Sequence, residues 1–345
     1  MSSPSMQRIL VVLPNWYGET LFATPFLRAL RTRRPSAFIA TLGWPQCREV
    51  LLHNPHVDQL LDYDERGSHA TFAGKRALVE TLRTCRFDAA FILRRSLSRS
   101  LLLWWAGIPV RIGFDSLKSG WALTHRVPMI SLPMHKASTY LPLLDVLGDQ
   151  GVLLPYEYTV SGQEREAART WLRTTTTLGE QPFAVLHPGA NWFHKRWAPE
   201  RFAALGDRLA ALGLRIVITG GPDDIELAEQ VRRAMRQPAT ILAGKTTLRQ
   251  LAACLEQARV FISNDTGVLH IAVALHRPVV ALYGPTSPSL TGPLGDPKRI
   301  TVLHHPECCP SIPCYEPERP AHLGMDSITV EEAYVATRQL LEKTA

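Results

Sequence analysis

The stretch SNDTGVLHIAVALHRPVVALYGPT, residues 263–286, gathers polar side chains ahead of an apolar run. Asp265, Thr266 and His270 stand where a buried strand–helix–strand segment has no packing need for them. Read as a strand "VFIS", a turn "NDTG" and a helix from Val268, the stretch puts unpaired backbone N–H groups and positive dipole charge at the turn. Such a helix mouth favours a phosphate. Gly267 would let the backbone approach a ligand, Thr266 adds a hydroxyl donor, and His270 lies one turn in. Ordinary helix capping by Asn264, Asp265 or Thr266 competes with this reading. Capping accounts for one of these residues; it does not account for all of them, nor for the second turn, Gly284-Pro285-Thr286.

Three further loops carry residues suited to chemistry. After the strand "FAVLH" comes "PGANWFHKRWAPERF", where Lys195 and Arg196 could neutralise a diphosphate leaving group, or simply be solvated. The loop "TGGPDDIE" sets two glycines before Asp223, Asp224 and Glu226. These acids either complement a helix dipole or grip a ribose diol. The segment "PNWYGET" follows the first strand and places Glu19 just past Gly18, where a helix should begin. Glu19 is a helix-terminal acid or a general base for an acceptor hydroxyl. The late "HHPECCPSIPC" holds Cys308, Cys309 and Cys314 near His304 and His305, with His322 beyond. Its spacing is not a standard C-x-x-C pair, which leaves reduced thiols in a Pro-rich loop or a structural zinc site.

These loops need strands to end at them. "RILVVLP" is a continuous apolar run of the kind found in buried parallel strands. "TLFATPFLRALRTRRP" shows helical spacing and stops at Pro35. "AFIATLG", "VDQLLDYD", "DAAFILR" and "VRIGF" follow as strands, with helices between them. The period is lost around Pro155, and we expect the linker in 155–182. Then the alternation restarts: strands "FAVLHPGA", "RIVITGGP", "ATILAG", "VFISND" and "PVVALYGP", separated by helices. A closing helix, "TVEEAYVATRQLLEKT", has Thr329 as its cap. Alternation of this kind predicts parallel sheets with helices on both faces. We expect an α/β protein of two Rossmann-like doubly wound domains, 1–165 and 166–345, facing a central cleft lined by strand carboxyl ends. The closing helix could pack back on the first domain. A G-x-G-x-x-G after the first strand is missing, which argues against a dehydrogenase.

The 345 residues suit two domains, and the apolar and charged fractions are those of a globular protein. No apolar run reaches the ~20 residues that span a bilayer, and no signal peptide is recognisable. Six Cys without a regular framework fit reduced thiols, hence a cytoplasmic protein. Charge is unevenly placed. Residues 1–150 carry 18 Lys+Arg and 11 Asp+Glu, a surplus of 7, whereas 151–345 carry 20 of each. The first half either reflects an Arg-rich composition or faces something anionic: nucleic acid, phospholipid or a phosphorylated acceptor. With no zinc-finger spacing, basic helical stripe or RRM-type aromatics, nucleic acid is not expected as a partner.

Taken together, "LPNWYGET", "AGIPVRIGF", "HPGANWFHKRW", "TGGPDDIE" and above all "SNDTGVLHIAVALHRPVVALYGPTSP" resemble the ADP-heptose–lipopolysaccharide heptosyltransferases, of the heptosyltransferase II type. These belong to glycosyltransferase family nine, with the GT-B fold, and the resemblance runs across most of the chain. It implies an inverting transfer of L-glycero-D-manno-heptose from ADP-heptose to the inner core on heptosyl-Kdo-lipid A. By similarity Lys195, Arg196, Asp224, Asp265, Thr266, Gly267 and His270 would bind the donor, and Glu19 and Lys195 would be catalytic. Arg94, Arg95 and Arg99 are the candidate acceptor-binding residues, matched to the phosphates and Kdo carboxylates of the acceptor. No cofactor or essential metal is implied. The enzyme would work in the cytoplasm, at the inner face of the cytoplasmic membrane. The sequence departs from the family at Gly18-Glu19, where Gly-Asp is usual, and in "HLGMDSI", where relatives often carry a Cys-containing motif. A nucleotide-sugar-binding protein without transfer activity, a transferase for another sugar, and a sugar-nucleotide epimerase are the competing readings.

Overall fold

The computed structural model describes residues 6–118, 120–129, 133–148, 152–175, 178–308, 312–314 and 323–344. The chain divides into two compact units between Thr159 and Val160.

The first unit holds six strands: β1 (Arg8–Val12), β2 (Phe38–Gly43), β3 (Gln59–Asp62), β4 (Ala89–Ile92), β5 (Val110–Phe114) and β6 (His125–Val127). They form one sheet in the order β3-β2-β1-β4-β5-β6, every neighbouring pair parallel. The central strands β1 and β4 are buried along nearly their whole length because helices cover both faces. The expected first helix is in fact two. Tyr17–Phe22 and Thr24–Arg33 meet at Ala23, just ahead of Pro25, which lies in the first turn of the second helix, where its missing N–H costs least.

The second unit repeats the plan with β7 (Phe183–His187), β8 (Arg215–Ile218), β9 (Ala239–Ile241), β10 (Val260–Asn264), β11 (Val279–Tyr283) and β12 (Ile300–His304). The order is β12-β11-β10-β7-β8-β9, again all parallel. Its core joins Leu186, Trp197, Phe202, Ile216, Ile262 and Leu282. Trp197 is fully buried, and its indole N–H donates to the Ile328 carbonyl at 2.9 Å, so its one polar atom is satisfied. The closing helix Val330–Lys343 packs on the helix Pro199–Ala211 and on β11 and β12. Thr329 caps it by accepting from the Glu332 N–H.

In each sheet the strand order reverses once, between β1 and β4 and between β7 and β10. Such reversals leave a crevice at the strand carboxyl ends, where open α/β sheets bind ligands. The loops that carry Glu19, Lys195 and Asp265 leave β1, β7 and β10, whereas that of Asp224 leaves β8 and that of Thr286 leaves β11. The edge strands β6 and β12 were not expected. His125 and Arg126 are exposed, so β6 lacks the apolar run that marks a buried strand.

Candidate functional site

In the second unit, β7 and β10 run side by side with Ser263 opposite His187. The loop after β10 therefore emerges beside the loop after β7. The Asp265 carboxylate is buried there and gathers three partners. The Lys195 ammonium donates to its Oδ2 at 2.6 Å, the Thr286 hydroxyl donates to the same oxygen at 2.8 Å, and His270 Nε2 lies 4.0 Å from Oδ1. Burial pushes the Asp265 carboxyl up, but Lys195, His270 and the two hydrogen bonds outweigh it and hold the group below its ordinary value. Lys195 is thereby held by a carboxylate with little freedom of its own.

The competing roles proposed for this turn separate cleanly. Thr266 is the N-cap of the helix Gly267–Ala274, its hydroxyl accepting from the Leu269 N–H at 3.3 Å. Asp265 does not cap that helix; it holds the lysine. Asn264 ties the neighbouring loop down, its side-chain amide donating to the Pro188 carbonyl at 2.8 Å and accepting from the Trp197 N–H at 3.2 Å. The Arg196 guanidinium donates to the Ala190 carbonyl in that same loop. Asp224 accepts from the Gly221 N–H at 2.9 Å, lies 4.0 Å from Arg196, and sits so close to Gly189 and Gly220 that a Cβ on either would strike it. Beneath this loop His187 is buried and hydrogen-bonded through Nδ1 to the Thr219 hydroxyl at 2.9 Å. Burial drives its imidazole down to about 4, against an opposing pull from Asp224, so it is neutral at pH 7.

In the first unit the loop after β1 runs into the helix Tyr17–Phe22, whose first turn carries Glu19. Glu19 is part-exposed, with the Lys136 ammonium 3.9 Å away. The Tyr140 phenol is pushed up by burial and by Glu19, with Arg94 opposing, which places Arg94 and Glu19 in one electrostatic neighbourhood. Arg94 and Arg95 are exposed. Arg99, expected beside them as an acceptor contact, is buried instead. Its guanidinium donates to the Leu13 carbonyl at 2.6 Å, to Asn15 Oδ1 at 2.5 Å and to Glu65 Oε2 at 3.1 Å.

The arrangement thus offers a fixed ammonium beside a helix N-terminus in one unit and an accessible carboxylate with exposed guanidinium groups in the other. Sequence reasoning did not select Thr286, Lys136, Tyr140 or Glu65. Thr286 had a signal, since it stands in a polar turn directly after a strand; the others had none. No cluster of three or more metal-ligating side chains exists among the described residues. Cys309 and His322 lie outside the described residues. No helix among them is long and apolar enough to cross a membrane.

A family model described as glycosyltransferase family 9 (heptosyltransferase) matches residues 75–321. Lipooligosaccharide heptosyltransferase 2 of Haemophilus influenzae is 29% identical over 97% of this chain and 99% of its own length. Lipopolysaccharide heptosyltransferase 2 of Escherichia coli is 28% identical over 86% and 88%. Among solved structures, a family 9 glycosyl transferase from Veillonella parvula superposes with a TM-score of 0.88 at 26% identity, covering 98% of both chains. The E. coli ADP-heptose heptosyltransferase II superposes with a TM-score of 0.82 at 25% identity, over 98% of this chain and 99% of that one.

Proposed function

Starting from the chain's membership of glycosyltransferase family 9, we propose that it transfers L-glycero-D-manno-heptose from ADP-heptose to the inner core of lipopolysaccharide, with heptosyl-Kdo-lipid A as acceptor. The observation that carries the reading is the Lys195–Asp265 pair at the mouth of the helix Gly267–Ala274. An ammonium and unpaired N–H groups together suit a diphosphate.

The reaction is a single displacement. The acceptor hydroxyl oxygen attacks the anomeric carbon while the bond from that carbon to the diphosphate oxygen breaks. Attack and departure on opposite faces invert the configuration. The hydroxyl proton goes to the Glu19 carboxylate, and the electron pair leaves with ADP. Lys195 and the helix N–H groups stabilise the charge that grows on the departing phosphate. A lysine does here what a divalent cation does in other nucleotide-sugar sites. Asp224, Thr266, Gly267 and His270 complete the donor site, with Arg196 holding its loop. The exposed Arg94 and Arg95 meet the anionic acceptor, and the basic first half of the chain favours the anionic inner face of the cytoplasmic membrane.

The test mixes protein, ADP-heptose and heptosyl-Kdo-lipid A and measures ADP release with formation of the heptosylated lipid. The expected result is stoichiometric release of both products. Tight binding of ADP-sugars without product would make the chain a binding protein instead. Conversion of the donor without acceptor would make it an epimerase.

A further inference from the structure

The geometry assigns to Arg99 the role of a positioning residue: it clamps the loop Leu13–Asn15 and so fixes the helix that carries Glu19. The inference rests on Glu19 being the base.

That loop is the hinge of the first unit's site. It leaves β1, one of the two central strands of the sheet, and soon turns into a helix of six residues, Tyr17–Phe22. A helix this short has little stability of its own. Its direction is therefore set by whatever holds Leu13, Pro14 and Asn15, the residues that lead into its N-cap, Trp16. Each of their carbonyls accepts a hydrogen bond from a side chain on another element. The Arg99 guanidinium reaches the Leu13 carbonyl, the Cys47 thiol reaches that of Pro14 at 3.5 Å, and the Gln46 amide reaches that of Asn15 at 2.8 Å. The second Arg99 nitrogen also takes the Asn15 side chain. Arg99 is thus the one residue of the three that holds both ends of the loop.

The clamp is itself braced. Glu65 Oε2 accepts from Arg99 at 3.1 Å and from the Trp44 indole at 2.7 Å, and Arg99 lies over the Tyr63 ring at 5.9 Å. Arg99 is 2% exposed, so its bonds face no competition from water. A planar guanidinium supplies several donors in fixed directions, which a lysine cannot do. A buried arginine with this many partners, one turn from the exposed Arg94 and Arg95, is built to hold backbone rather than to meet a substrate.

The experiment is a double-mutant cycle read in steady-state kinetics. Arg99→Lys keeps the charge and loses the fork. It should lower kcat by about 10- to 100-fold, the size of effect that a displacement near 1 Å produces, while the KM for ADP-heptose and the affinity for ADP stay as in the parent. In a Glu19→Gln background the same substitution should lower kcat no further, because the group it positions is gone. Asn15→Ala, which removes one acceptor and strands no buried charge, should give a smaller loss of the same kind, and it decides the matter if Arg99→Lys does not fold. Multiplying effects in the cycle, or a loss of ADP affinity in step with kcat, would overturn the assignment. So would full activity of both variants while Glu19→Gln is dead. Full activity of Glu19→Gln alone would instead remove Glu19 as base and with it the reading on which this one rests.

Discussion

In the first unit the loop after β1 leads to a carboxylate, Glu19, that is part-exposed and 3.9 Å from Lys136. In the second the loop after β7 leads to an ammonium, Lys195, that touches a buried carboxylate at 2.6 Å. Both loops are pinned from the strand beyond the sheet's reversal point, by Arg99 on the helix Leu97–Trp105 after β4 and by Asn264 at the end of β10. The frames are alike and the groups they deliver are treated oppositely. A base has to take a proton from substrate, so saturating it with donors would defeat it. A cation that meets a leaving group acts best when it is already oriented and dry, because it then costs no reorganisation during reaction. The polar cluster around Asp265 supplies that orientation.

Breaking the first pole should have the largest effect. Glu19→Gln keeps the shape and removes the proton acceptor, and turnover should fall about 10²- to 10⁴-fold. ADP affinity, measured by calorimetry, should not change if the donor sits, as proposed, on the other unit. A matching fall in ADP affinity would mean that the poles are not separate in function.

Lys195→Met attacks the other pole and should lower kcat by about 10²- to 10³-fold, as loss of one stabilising donor does. Here ADP binding should weaken as well. The variant also leaves Asp265 buried beside Thr286 and His270 without its ammonium, so it should melt at a lower temperature than the parent. Adding Asp265→Asn should recover part of that stability but none of the turnover. If Lys195→Met bound ADP and turned over normally, the second pole would have no part in departure of the diphosphate.

The dryness of the second pole can be read through pH. His187 is buried neutral, its folded value pressed to about 4 from an ordinary 6.5. Between those values the unfolded chain binds a proton that the folded chain refuses. His187 therefore gives its full stability above pH 6.5, and loses it as the pH falls towards 4, by at most roughly 3 kcal/mol. The melting temperature should drop between pH 7 and pH 5. His187→Asn should start lower and show a flatter profile over that range. An unchanged slope in the variant would mean that acid acts elsewhere, with the Asp265 cluster the next place to look.

How much of this could be read from residues alone follows from where the information lies in the chain. The central strands were legible because burial on both faces demands unbroken apolar runs, as in Ile9–Val12 and Val260–Ile262. Of the four edge strands, β3 and β9 were legible, but β6 and β12 were not. β6 has two exposed polar residues in three, and β12, though it carries the β-branched Ile300, Thr301 and Val302, is only half-buried. Asp265 and Thr266 could be placed at a strand's carboxyl end because they follow β10 directly, and Glu19 and Lys195 because they lie in the segments that follow β1 and β7. Thr286 stands in a polar turn after β11 but reaches Asp265 from 21 residues away, a pairing that the turn itself does not announce, and Lys136 reaches Glu19 from across its unit with no local pattern at all. Arg99 shows the remaining gap. Sequence groups it with Arg94 and Arg95 by proximity, but its direction is set by where the carbonyls of residues 13–15 need a donor.

The smallest expected effect sharpens the comparison most. Lys136 and Glu19 make an ion pair on paper, as Lys195 and Asp265 do. Yet the Lys136 side chain is 49% exposed and its partner 32% exposed, against 22% and 7% in the second unit. Water screens a pair like the first and lets the long side chain wander, so exposed pairs of this kind contribute about 0.2–1 kcal/mol. Lys136→Met should change kcat by less than about 5-fold, should leave ADP affinity unaltered, and should weaken further in effect as salt is raised. A loss approaching that of Lys195→Met, insensitive to salt, would show that the first pole is also pre-paired. The openness of Glu19 would then be an inference too far, and the two units would differ only in the sign of the group they present.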